Sequence, residues 1–402
     1  MRIGFFSTYF PYKEPFSKKV DKRYFWGGEG EAAYHLAVNL MERGHSVRVF
    51  TSAADSVNSI ERYKNITIHR YAKSFKIFNT CFSLGLLHSP SKYDVDIVHA
   101  HFATPPAPLG AMMYHMRSRK KKPFVVTIHQ IHNRYAGASY GSVVRYASLL
   151  FYKRFVANTI LKQADCILAP SKEYVDQSDI LQKYADRVKI IPIGMDPEEF
   201  TIGLSKSDCR ARLGLSDNEL VILNVGTLSE QKGLDVLLKA FLTVRRRIPN
   251  VRLVLVGPLL ARSREILDLT RKLHADSVVD FTGVKYGYEK NLYFASADLF
   301  VSASYDESWG LSVCEAMACG LPVIVSDLEV FRSIIADKQN GFLAKRGNYQ
   351  DFANKIIYAL ENDAIRKRAG GLAREKVKEF SWKKVAAETE QVYLTLLDLT
   401  KS

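Results

Sequence analysis

Short apolar runs alternate with longer segments whose apolar positions recur at helical spacing along the whole 402-residue chain. In the first half the runs 2–7, 46–51, 96–99, 124–128, 166–169 and 189–191 are rich in Val, Ile and Phe and end in small or polar residues. That pattern predicts buried strands. In the second half 220–225, 252–256, 278–281, 299–301 and 322–325 repeat it. Helical spacing between them predicts a helix over about 30–43, stopped by Gly44, another from Leu234, and a closing helix over 381–397 carrying Trp382, Val385, Ala386, Val392 and Leu396. Strands separated by helices imply an α/β chain whose parallel sheets are doubly wound, in two copies. The Pro192-Ile193-Gly194 turn places the break, giving domains 1–193 and 194–378. Residues 379–402 form a helix expected to pack back toward the first domain. Ligands of such sheets bind beyond the carboxyl ends of the strands, so a cleft between the domains is the expected active site.

The length suffices for two ordinary cores, and 47% hydrophobic with 25% charged residues is the composition of a soluble globular protein. The N-terminal MRIGFFSTYF reads as a first strand, not a signal peptide, and no apolar run reaches the length of a membrane span. Five cysteines without C-x-x-C or zinc spacing suggest reduced, buried thiols and a cytoplasmic protein.

Charge changes the picture more. The net +15 divides unequally, +11 over residues 1–200 and +4 over 201–402. Residues 101–150 hold seven basic side chains and no acidic one, among them Arg117, Arg119, Lys120, Lys121 and Lys122. A second basic stretch, Lys18, Lys19, Lys22 and Arg23, lies among Phe16, Tyr24 and Phe25. A merely solvated basic face is one explanation. Basic residues beside aromatics also suit an anionic membrane surface, at roughly 1 kcal/mol for each Lys or Arg near it. No helix-turn-helix, zinc-finger or RNP pattern accompanies the charge, so nucleic acid is not an expected partner.

The densest chemistry lies in YDESWGLSVCEAMACGLPV, residues 305–323. Glu307 and Glu315 stand eight apart across the Trp309-Gly310 turn, and 312–319 reads as a short helix ended by Gly320. Its first amides, near Gly310, Leu311 and Ser312, would face an anion, with the two carboxylates accepting bonds from neutral hydroxyls beside it. Ser312 and Glu315 also fit an S-x-x-E capping box, in which Glu315 serves only its own helix. The whole string resembles the E-x7-E signature of the retaining group 1 glycosyltransferases.

Other segments match the same family. VGTLSEQKG places Gly226, Thr227 and Lys232 after a strand and before the Leu234 helix. Lys232 there is either a surface lysine or a point charge for a diphosphate. The family pattern carries Arg where this chain has Thr227. Gly27 and Gly28 precede a helix in WGGEGEAAYHL, as a tight turn or as a second anion-facing terminus. His99 and His101 read as structural strand-end residues, while His129 matches the family histidine that contacts the transferred sugar. The loop after the 278–281 strand, Gly283 and Val284, resembles the segment that meets the nucleotide base. Leu328-Glu329-Val330-Phe331-Arg332 replaces a common Gly-Gly-x-x-Glu motif, and Ile193 replaces a usual Asn. Asp94-x-Asp96 reads as a strand-start feature, not a metal clamp.

The resemblance implies a GT-B fold, two Rossmann-like domains, and transfer of a sugar from a UDP- or GDP-sugar to a lipid-linked or polysaccharide acceptor with retention and no obligatory metal or other cofactor. It assigns sugar hydroxyls to Glu307, ribose to Glu315, and the leaving phosphate to Lys232 and the helix amides. The basic first domain would hold the enzyme at the inner face of a membrane. A sugar-nucleotide epimerase and a non-catalytic nucleotide- or nucleic-acid-binding protein are the rival readings.

Overall fold

The computed structural model describes residues 1–12, 14, 27–77, 80–103, 105–118, 121–129, 152–259 and 264–400. Two compact units emerge, one of Met1–Gly194 with Trp382–Ser402, the other of Met195–Ser381.

The first unit is built on an eight-stranded sheet. Its strands are β1 (Arg2–Phe6), β2 (Ser46–Ser52), β3 (Ser59–Tyr63), β4 (Ile66–Tyr71), β7 (Ile97–Phe102), β8 (Phe124–Ile128), β9 (Cys166–Ala169) and β10 (Val188–Ile190), in the order β10-β9-β8-β7-β1-β2-β4-β3. All neighbours are parallel except β3, which pairs antiparallel with β4. A separate hairpin joins β5 (Phe75–Ile77) to β6 (Thr80–Phe82). Helices cover both faces, because β1, β7 and β8 are buried along nearly their whole length. On one face Gly28–Glu42 and the Trp382–Leu399 helix pack through Ala33, Leu36, Leu40, Val385 and Tyr393. Gly194 has no room for a side chain there, since a Cβ would lie 2.3 Å from the Trp382 ring.

The second unit holds β11 (Leu220–Val225), β12 (Val251–Val256), β13 (Val279–Gly283), β14 (Leu299–Ser302), β15 (Val323–Ser326) and β16 (Phe342–Ala344). Their order is β13-β12-β11-β14-β15-β16, all parallel. The chain winds outward from β11 to β13, then returns to the other side of β11 at β14. That reversal makes the carboxyl ends of β11 and β14 the topological switch point, where crossover loops part and leave a crevice.

The strands and helices read from apolar periodicity are present, most within one or two residues of the expected ends. The sequence pattern missed β3, β4, the hairpin and β16. β3 is largely exposed and alternates no apolar face, while β16 is only three residues long. Asp94 and Asp96 both bond Arg2, at 2.7 and 2.6 Å, as expected of a strand-start feature.

Candidate active site

Two loops meet at the switch point of the second unit. After β11 the chain turns at Gly226 and Thr227, forms a short 3-10 turn over Glu230–Lys232, and enters the Leu234–Arg247 helix through Gly233. Gly233 is left-handed (φ +61°), and a Cβ on it would lie 2.0 Å from the Ala303 carbonyl oxygen. Only glycine lets the loop approach the end of β14 this closely. After β14 come Ser304, Tyr305, Asp306 and Glu307. The amide of Tyr305 bonds the Gln231 carbonyl at 2.9 Å, which ties the two loops together.

This tie brings Lys232 to Glu307. The ammonium donates to Glu307 Oε1 at 2.6 Å, and the Ser304 hydroxyl donates to the same oxygen at 2.8 Å. Ser304 is itself paired with Ser302 at 3.1 Å. Asp306, next along, is pushed above the ordinary carboxylate range by burial and by the neighbouring charge of Glu307.

Gly310 then turns left-handed (φ +88°) and caps the Leu311–Ala318 helix without a side-chain bond. Its Cβ would meet the Phe331 ring at 2.3 Å, so this corner too requires glycine. The amides of Val313 and Cys314 bond back to the Gly310 carbonyl, at 2.9 and 3.1 Å. Those of Leu311 and Ser312 have no acceptor within the helix, as at any helix start. The far end closes as a Schellman motif, with Gly320 at φ +73° and amide bonds from Gly320 to Met317 and from Leu321 to Ala316.

The capping-box explanation of Glu315 fails. Gly310, not Ser312, is the N-cap, which puts Glu315 beyond the reach of a capping contact. Glu315 Oε1 instead accepts from Lys290 Nζ at 2.7 Å. Lys290 stands on the Gly287–Ser296 helix and was not singled out in the sequence, since nothing in its spacing marks it. Gly283 ends β13 in a left-handed conformation (φ +72°), and Val284 beside it is exposed.

In the first unit Gly27 is the N-cap of the Gly28–Glu42 helix, whose first turn already holds Glu29 and Glu31. Those carboxylates complement the helix dipole, with Glu29 Oε1 3.3 Å from the Ser7 hydroxyl. Three histidines stack along β7 and just beyond β8, His99 over His101 at 4.7 Å and His101 over His129 at 5.2 Å. His99 is bonded on both nitrogens, to Tyr393 Oη at 2.5 Å and Thr127 Oγ1 at 2.6 Å. His101 Nδ1 meets His129 Nε2 at 3.0 Å, while among the described residues His101 Nε2 and His129 Nδ1 have no partner. Whichever ring donates, one unpartnered N–H and one unpartnered lone pair remain. Both rings line a small cavity shared with Leu36, Ile193 and Trp382. His99 and His101 are buried, but β7 runs on to Phe102, so His99 lies within the strand and only His101 is near its end, while His129 joins their stack just beyond β8. Burial pushes His99 down to about 3 and His129 to about 4, and takes His101 well below its ordinary range.

Of the basic residues, Lys18, Lys19, Lys22, Arg23, Arg119 and Lys120 lie outside the described residues. Lys122 pairs with Asp94 at 3.1 Å, and Lys121 lies 3.9 Å from Asp165. Arg117 bonds the Leu87 carbonyl beside the exposed Met116. Cys81, Cys166, Cys209, Cys314 and Cys319 are free thiols. Among the described residues no cluster of His, Cys, Asp and Glu fits a metal ion, and no helix is long and apolar enough to cross a membrane.

The histidine stack makes a prediction about pH. Each ring protonates more readily in the unfolded chain, near 6.5, than in the fold. Stability is therefore fully present above about pH 6.5 and is lost as pH falls toward 4. By pH 5 each histidine should cost roughly 1–2 kcal/mol. Urea unfolding midpoints should fall between pH 7 and pH 5, and a His99→Asn variant should show a shallower fall. A midpoint independent of pH over this range would contradict neutral burial.

Comparison with known proteins gives the family. The sequence model for "Glycosyl transferases group 1" matches residues 205–376, and that for "Glycosyltransferase Family 4" matches residues 26–199. The chain is 28% identical, over 90% of its length and 78% of the relative's, to alpha-monoglucosyldiacylglycerol synthase of Streptococcus pneumoniae. Its fold is similar to that of sucrose-phosphate synthase from Thermosynechococcus elongatus, with a TM-score of 0.78, 24% identity and 99% of each chain covered. It is also similar to Anabaena HepE in complex with UDP-glucose, with a TM-score of 0.74, 19% identity, and 98% and 100% covered. Two parallel-sheet α/β units are those of a GT-B enzyme, and the chain belongs to the group 1 glycosyltransferases.

Proposed function

We propose that this enzyme moves a sugar from a UDP- or GDP-sugar to a lipid-linked or polysaccharide acceptor, with retention at the anomeric carbon. The carrying observation is the meeting of Lys232 and Glu307 at the switch point, beside the open amides of Leu311 and Ser312. A nucleoside diphosphate brings at least two negative charges to that corner. Its oxygens draw Lys232 away from Glu307 and take the two amides, which stabilise charge as the bond from C1 to the phosphate oxygen breaks. Glu307 stays in place on Ser304 and accepts hydroxyls of the sugar. The acceptor oxygen bonds C1 from the face the phosphate leaves, and its proton passes to the departing phosphate. Lys232 and the amides supply the positive partner this step needs, so turnover is expected to survive chelation of divalent metals. The UDP-glucose held by the Anabaena relative and the diacylglycerol-based product named for the Streptococcus one support the donor and acceptor classes.

The direct test is thermal stabilisation by UDP, GDP, ADP and CDP and their sugars, beside Lys232→Ala. One nucleotide at 100 times its dissociation constant should add about 2.7 kcal/mol of stability. Lys232→Ala should weaken that binding at least tenfold and lower kcat/KM about 10²–10³-fold. No selective nucleotide, or an indifferent Lys232→Ala, would contradict the assignment. Sugar turnover without any acceptor would favour an epimerase.

We further propose that the first unit meets an anionic membrane surface, with Arg117, Lys121 and the exposed Met116 among its contacts. Sedimentation with phosphatidylglycerol vesicles should carry the enzyme down at low salt and release it at high salt. Equal recovery with neutral phosphatidylcholine vesicles would sink this reading.

A further inference from the structure

Each glutamate of the corner has its own lysine, yet the fold treats the two pairs differently. Glu307 is held twice, by Lys232 at 2.6 Å and by Ser304 at 2.8 Å. Lys232 can leave for a diphosphate without releasing the carboxylate. Glu315 is held once. Among the described residues only Lys290 bonds it, through Oε1 at 2.7 Å.

The second pair is also the more deeply sunk. Lys290 keeps 18% of its side-chain surface and Glu315 8%, against 26% for Lys232 and 11% for Glu307. Burying a flexible lysine costs rotamer entropy and desolvation, and such a pair adds little net stability over apolar neighbours. What it does provide is direction. With Oε1 held by the ammonium, rotation of the carboxylate is restricted, and among the described residues Oε2 has no partner. A carboxylate that receives a hydroxyl of a vicinal diol needs that fixed orientation, because a freely turning one loses it to side-chain entropy.

We propose that Lys290 is a positioning residue that orients Glu315 toward the ribose hydroxyls of the donor nucleotide, and so sets a preference for ribonucleotides over 2′-deoxyribonucleotides. The proposal rests on the reading that the donor lies over this corner. Lys232 is the mobile lysine of the pair of pairs and Lys290 the fixed one. The sequence departs from its family pattern at Thr227 near the diphosphate, and Lys290 does not replace that cation. It acts at the nucleoside end, through Glu315.

The test is calorimetric titration of the full chain with the diphosphate selected above, UDP or GDP, and with its 2′-deoxy counterpart. Wild type should prefer the ribonucleotide about tenfold, the worth of one hydrogen bond to a charged group. Lys290→Met should bring the ratio of dissociation constants to within about twofold of unity. Both constants come from one preparation, so a partly unfolded variant does not distort their ratio. Glu315→Gln provides the second arm. Adding Lys290→Met to it should change the ratio no further, since Lys290 acts through Glu315. An undiminished ratio in Lys290→Met would overturn the role of Lys290 while leaving the donor site standing. A wild type that binds both nucleotides equally would remove the ribose contact and the proposal with it. Binding of neither would overturn the donor reading itself.

Discussion

The ion pair between Lys232 and Glu307 exists only because the sheet reverses its winding between them. β11 and β14 are neighbours in space and 75 residues separate the two side chains along the chain. Two glycines make the approach sterically possible, Gly233 against the Ala303 carbonyl and Gly310 against Phe331. The remaining features of the corner follow from that closeness. Ser304 reaches Glu307 because it lies three residues upstream on the same loop. The helix after Gly310 starts four residues beyond Glu307, and its Leu311 and Ser312 amides have no acceptor within the helix. The corner thus arises from backbone topology first and from charged side chains second.

The first unit shows the opposite use of polar residues. Its three stacked histidines are deep in the fold and far below their ordinary range, so they serve as neutral hydrogen-bonding groups. Tyr393, from the last helix, satisfies one of them, and Thr127 the same ring on its other side. His101 Nε2 and His129 Nδ1 are the exception, with no partner among the described residues.

Much of this was legible in the sequence, for a physical reason. Parallel strands are buried on both faces and so announce themselves as apolar runs, as β8, β9 and β11 do at their observed ends. The exposed β3 and the three-residue β16 carry no such signature. The E-x7-E string identified the corner, because a helix start, a left-handed glycine and a Schellman glycine all leave local marks. The partners of the two glutamates were only half visible. Lys232 sits in a recognisable loop, but Lys290 lies on an ordinary helix 25 residues before Glu315, and its role appears only when the two helices are packed. Local patterning likewise allowed a capping box at Ser312. The left-handed Gly310 took the N-cap position instead and freed Glu315 for a tertiary contact.

The most direct measurement is a crystal structure of the full chain with UDP or GDP bound. The account predicts the diphosphate over the Leu311 and Ser312 amides, with Lys232 Nζ about 3 Å from a phosphate oxygen and Glu307 still on Ser304. An unbroken Lys232–Glu307 pair, with the diphosphate bound elsewhere, would contradict it.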